Sequence, residues 1–137
     1  MEELERLPYL RTAIDNGVEK MLELEMRKTS IRSGLPSGIR TGNEKKGLDD
    51  LLAVILDQQE ELRNSLQEFQ EEWYNISVKI SQIKNLRIRL IIEYRFESNL
   101  PWQQVADKLG GERDTEDSVR IAFNRWMKRQ DALSQKM

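Results

Sequence analysis

The sequence predicts an all-α chain, and three observations predict it. Apolar residues recur at alternating spacings of three and four through most of its 137 residues. One stretch, GLPSGIRTGNEKKG at residues 34–47, holds four of the seven glycines and reads as a loop between two such patterns. Near the C-terminus, two short apolar segments carry their own helix start and stop signals. Together these predict a long N-terminal antiparallel helical hairpin, a coiled-coil stalk over residues 1–84, followed by a compact helical head over residues 85–137.

Each element has its own warrant. Leu7, Leu10, Ile14, Gly17, Met21 and Leu24 form a seam that predicts a first helix from about Glu2 to Arg32. The pattern resumes at Leu48, Leu52, Ile55, Gln59, Leu62, Leu66, Phe69, Trp73, Ile76, Ile80 and Ile83 with no Gly or Pro inside it. That predicts a second helix on the order of 50 Å long. Gln59 is its one polar seam residue, either a register-setting contact between chains or a solvent-facing slip in the pattern. Phe69 and Trp73 need more cover than one neighbouring helix gives, so a homo-oligomer is expected. At Asn85 either a new helix is capped or the long one continues; Leu86, Leu90, Ile91 and Tyr94 then line one face as far as about Glu97.

The segment LPWQQVADKLGG supplies the next helix. Pro101 suits a first turn, where its missing N–H would be unpaired anyway. Gly110 and Gly111 can close the C-terminus in a left-handed conformation. Trp102, Val105, Ala106 and Leu109 fall on one face. Thr115 is a good N-cap for a last helix, with Glu116 and Asp117 suiting its positive end. Val119, Phe123 and Trp126 share a face of that helix and must turn against the Trp102 helix. This is the pattern of a helix-turn-helix, although three short capped helices also build small bundles that bind nothing.

Composition narrows the chemistry. There is no cysteine and no histidine, which removes disulfides, thiol nucleophiles, the usual zinc ligands and the usual neutral-pH general base. The acidic start MEELERLPYL does not read as a signal peptide, and LLAVIL is far too short to span a bilayer. A cytoplasmic protein without membrane contact is expected. The pairs Asp49-Asp50 and Glu71-Glu72 point about 100° apart on a helix and have no nucleophile beside them, so no enzyme and no cofactor are expected. Asn75-Ile76-Ser77 matches a glycosylation sequon, discounted because it lies mid-helix. Residues 1–83 hold 11 Lys+Arg against 16 Asp+Glu, whereas residues 84–137 hold 11 against 8. The excess beyond Val119 comes from Arg120, Arg125, Lys128, Arg129 and Lys136. A basic end is a prior for a polyanion partner, or simply a solvated helix face.

Opposite Val119 and Trp126, the last helix presents Asp117, Ser118, Ile121, Asn124, Arg125 and Lys128, with Arg120 on the flank. In a helix-turn-helix that face enters the major groove. Asn can pair with adenine, Arg with guanine, and an outward Ile can touch a thymine methyl. Lys128, Arg129 and Lys136 suit phosphates.

The run LRIRLIIEYRFESNLPWQQVADKLGG resembles region four of bacterial sigma-70 factors, in which a Leu-Arg-Tyr type helix precedes a Trp-x-x-Val/Ile-Ala-x-x-Leu-Gly helix. Over roughly residues 8–130 the chain is similar to phage and prophage sigma-like transcriptional regulators of the ArpU and RinA type, with the specific motif confined to the head. The resemblance implies a sequence-specific regulator that contacts double-stranded DNA through Thr115, Ser118, Arg120, Ile121, Asn124, Arg125 and Lys128, and it adds RNA polymerase as a partner. Arg129 completes the set expected at the DNA. One departure stands out: the family's short Leu-Gly-x-Ser turn is lengthened here to LGGERDTEDSV, which would relax the turn. Two other readings compete: a phage DNA-packaging subunit of the small-terminase type, forming a ring, and a coiled-coil adaptor whose head binds only protein.

Overall fold

The computed structural model describes residues 2–33 and 42–135, and within them the chain is helical with no strand. A 3₁₀ turn, Glu2–Glu5, leads into α1, Arg6–Ser33, and α2 spans Gly42–Ser81. Three shorter helices follow: α3, Leu86–Ile92, extended by a π turn over Glu93–Glu97; α4, Trp102–Leu109; and α5, Glu116–Gln135. Of the expected loop, residues 34–41 lie outside the described residues. Its last six residues, from Gly42 to Gly47, are helical instead. Gly42 is the first residue of α2, where a glycine costs far less than in the interior.

The chain divides into two compact units, residues 12–71 and residues 1–11 with 72–137. In the first, Leu24, Ile55 and the polar Gln59 are buried. A Cβ at Gly17 of α1 would lie 2.5 Å from Leu66 of α2, so these helices approach at a residue without a side chain. Further along, Gln59 of α2 donates to Glu25 of α1 at 2.9 Å. Gln59 is 3% exposed, so the reading of it as a solvent-facing slip is overturned.

In the second unit, Leu4, Leu7 and Leu10 are buried with Ile76 and Ile80. Arg6 pairs with Glu72, and Lys79 reaches Glu3 at 2.9 Å. The remaining core comes from Ile88, Ile91, Ile92, Phe96, Val105, Ala106, Val119, Phe123 and Trp126. Here α5 packs against both α3 and α4, and α3 touches α4.

The open question at Asn85 is resolved. The long helix stops at Ser81, and Asn85 caps α3 by accepting the N–H of Ile88 at 3.2 Å. The face of α3 is only partly the expected one, with Ile91 inward as expected and Leu86 not. Ile88, Ile91 and Ile92 are buried, and Leu86 is 57% exposed. An inward Ile88 and Ile92, four apart, leave a first-turn Leu86 on the far side. Pro101 is also one position earlier than expected, at the cap and not in the first turn. Its ψ of 153° is extended, and its carbonyl accepts the first helical bond, from Val105 at 3.0 Å. Gly110 closes α4 with φ at 72°, where its lack of a Cβ removes the left-handed penalty.

Candidate nucleic-acid interface

The surface of interest is built on α5. Its start is fixed locally: Thr115 Oγ1 accepts the N–H of Ser118 at 3.2 Å, and the Ser118 hydroxyl accepts the N–H of Thr115 at 2.9 Å. This reciprocal cap satisfies two amide donors that a helix start leaves unpaired. The Ser118 hydroxyl hydrogen goes to the Arg113 carbonyl at 2.7 Å. Ser118 is therefore half-buried and engaged in the cap, and the outward role expected of it is not its placement here.

From that start, 100° per residue divides the helix into two sides. Val119 is fully buried, and Phe123 and Trp126 nearly so. Phe123 lies between two rings, 5.3 Å from the centroid of Phe96 and 5.5 Å from that of Trp102. Tilted contacts of this kind add about 0.5–1.5 kcal/mol to area burial. The ring that meets Trp102 is thus Phe123. Trp126 lines a different hollow, of about 600 Å³, with Glu3, Lys79, Ile83, Asn85 and Gln130 among its walls.

On the opposite side Ile121, Asn124, Arg125 and Lys128 are exposed; Arg120 and Arg129 are exposed on its flanks, and Thr115 at the cap. Ile121 keeps 46% of its surface accessible although it is a large apolar residue. Arg120 is partly neutralised, its guanidinium 2.9 Å from Asp117 one turn earlier. Glu116 and Asp117 are exposed at the helix start, so that end is locally acidic, and the excess positive charge lies from Arg125 to Arg129. Lys136 lies outside the described residues.

Two supports were not visible in the sequence. Arg95 stands 4.8 Å over the Trp102 ring and donates to the Leu100 carbonyl at 3.0 Å, tying the segment before α4 to α4 itself. Asp114, in the turn between α4 and α5, pairs with Arg87 of α3 at 2.9 Å. A Gly-x-x-Asp turn hints at local capping, but nothing in it points to an arginine 27 positions earlier.

The described residues contain no group of three or more His, Cys, Asp or Glu arranged to hold a metal ion, and no helix long and apolar enough to cross a membrane. What the α5 surface offers is hydrogen-bond donors and acceptors, one apolar contact and four cations, of which Arg120 is paired with Asp117, on a capped helix. No family model, curated protein or solved structure matches the chain.

Proposed function

We propose that this chain is a sequence-specific DNA-binding transcriptional regulator of the phage or prophage sigma-like kind, reading the major groove with α5. The observation that carries the proposal is the division of α5. Val119, Phe123 and Trp126 are taken up by the core, while Ile121, Asn124, Arg125 and Lys128 stand in solvent on the opposite side. In this reading α4 and α5 are the two helices of a helix-turn-helix, and residues 1–84 form the antiparallel stalk through which copies associate. Asn124 and Arg125 read base edges and Ile121 meets a thymine methyl. Lys128 and Arg129 hold phosphates. The exposed carboxylates Glu116 and Asp117 favour contact through the middle of α5 over its first turn, because anionic side chains are repelled by the phosphate backbone. RNA polymerase is a second partner, on the strength of the sigma-like motif alone.

Selection of bound fragments from phage genomic DNA by the purified chain tests this. The expected result is enrichment of fragments sharing one short motif. No enrichment, and no mobility shift of any duplex at low salt, would leave the protein-binding adaptor as the better reading. Enrichment by a closed ring of many copies would favour the packaging subunit.

A further inference from the structure

The turn between α4 and α5 is tied down. Asp114 has a side chain only 14% exposed, and both of its oxygens are engaged. Oδ1 takes Arg87 Nε at 3.0 Å and Nη2 at 2.9 Å, and Oδ2 takes the N–H of Gly111 at 3.1 Å. The Asp114 N–H returns a bond to the Gly111 carbonyl at 3.0 Å. The adjacent glycines therefore do different jobs. Gly110 supplies the left-handed φ, whereas a Cβ at Gly111 would run into the Asp114 carboxylate. Asp114 immediately precedes Thr115, the cap of α5, so the carboxylate links α3 directly to the first turn of the last helix.

We infer that Arg87, Gly111 and Asp114 form a positioning clamp that sets the pitch of α5 on DNA and so controls base discrimination. The inference rests on the DNA-binding reading above. Phosphate contacts made by long flexible side chains tolerate a small rotation of the helix and carry no sequence information. Bidentate base contacts do not tolerate it. An ion pair whose arginine side chain is 42% exposed adds little to global stability, so the clamp's effect should be on specificity and not on folding.

The test uses the full chain. Affinity is measured at one salt concentration for the selected site and for an unrelated duplex of equal length, with a thermal melt of each variant alongside. Asp114→Ala, Arg87→Ala and Gly111→Ala should each lower the ratio of the two affinities about tenfold, the scale of one lost base contact. Binding to the unrelated duplex should stay within about twofold. Arg87→Lys, which keeps one charged donor, should recover part of the ratio. The double variant Arg87→Ala/Asp114→Ala should be no worse than Asp114→Ala alone, because Asp114→Ala already removes the Arg87 pair along with the Gly111 bond. An unchanged ratio in folded variants, or equal losses on both duplexes, overturns the clamp while leaving DNA binding intact. A wild-type chain that binds neither duplex overturns the DNA reading, and the clamp with it. Should Gly111→Ala fail to fold, Arg87→Ala, which removes only a half-exposed guanidinium, carries the test.

Discussion

Gln59 on α2, with 3% of its surface exposed, donates its side-chain amide to the Glu25 carboxylate on α1 at 2.9 Å. A buried amide in an apolar seam needs a partner, since an unsatisfied one costs about 1–3 kcal/mol. Glu25 supplies it from the rim and keeps Lys28 at 3.0 Å as its other contact. The amide of Gln59 and then Lys28 hold the Glu25 carboxyl below its ordinary 4.5. A depressed carboxyl contributes stability above its unfolded value that is lost as pH falls through the folded one. Thermal melts from pH 7 down to pH 3 should therefore show an acid loss that is smaller in Gln59→Leu. At pH 7 Gln59→Leu should stay within about 1 kcal/mol of wild type, because the seam remains filled and Glu25 can hydrate. Equal acid sensitivity in the two proteins counts against the pairing.

Glu97 works in the opposite sense. Burial, with the neighbouring Glu93 adding to it, raises its carboxyl above the usual value. Here the folded state prefers the protonated form. Its contribution is full below about 4.5 and is lost as pH rises through the folded value. Glu97→Gln should raise the melting temperature at pH 7 and leave it nearly unchanged at pH 4. A lower melting temperature at pH 7 would mean that the charge serves a contact more favourable than its burial is costly.

The two sides of α5 should separate cleanly by mutation. Phe123→Ala removes the ring between Phe96 and Trp102 and should cost about 3–5 kcal/mol in urea unfolding. Ile121→Ala, on the exposed side, should change stability by no more than about 0.5 kcal/mol while weakening binding to the selected site. If Ile121→Ala destabilises the chain as Phe123→Ala does, the outer face is part of a core and not a reading surface.

What the sequence disclosed and what it hid follow from the range of each interaction. The all-helical architecture was legible, because period and propensity act within a few residues. So was the Gly110 stop, which closes on the carbonyl four positions earlier; at Asn85 the sequence left a cap and a continuing helix both open, and the structure decides for the cap. The inward turn of Val119, Phe123 and Trp126 was legible from spacing alone. The face of α3 was legible only at Ile91, because the burial of Ile88 and Ile92 and the exposure of Leu86 depend on what α3 packs against. Arg87 with Asp114, Gln59 with Glu25 and Arg95 with Trp102 were invisible for the same reason. Charge and amide pairs across elements leave no periodic trace.

The proposed division of labour on α5 makes a final prediction in salt. A side chain that neutralises a phosphate releases a counterion, so log K falls with log salt by nearly one unit of slope per contact. Lys128→Ala should therefore weaken binding to every duplex alike and reduce that slope by about one. Arg125→Ala and Asn124→Ala should instead cost about 1–3 kcal/mol on the selected site, with the loss confined to one base position each. Their effect on an unrelated duplex should be much smaller. For Asn124, which carries no charge, the slope should not move at all. Arg125 is the sharper case, since a guanidinium can serve either role: a unit fall in slope with the base preference unchanged would reassign it to the backbone. If all three variants behave alike on all sequences, α5 binds DNA only as a cationic rod and the reading of base edges is wrong.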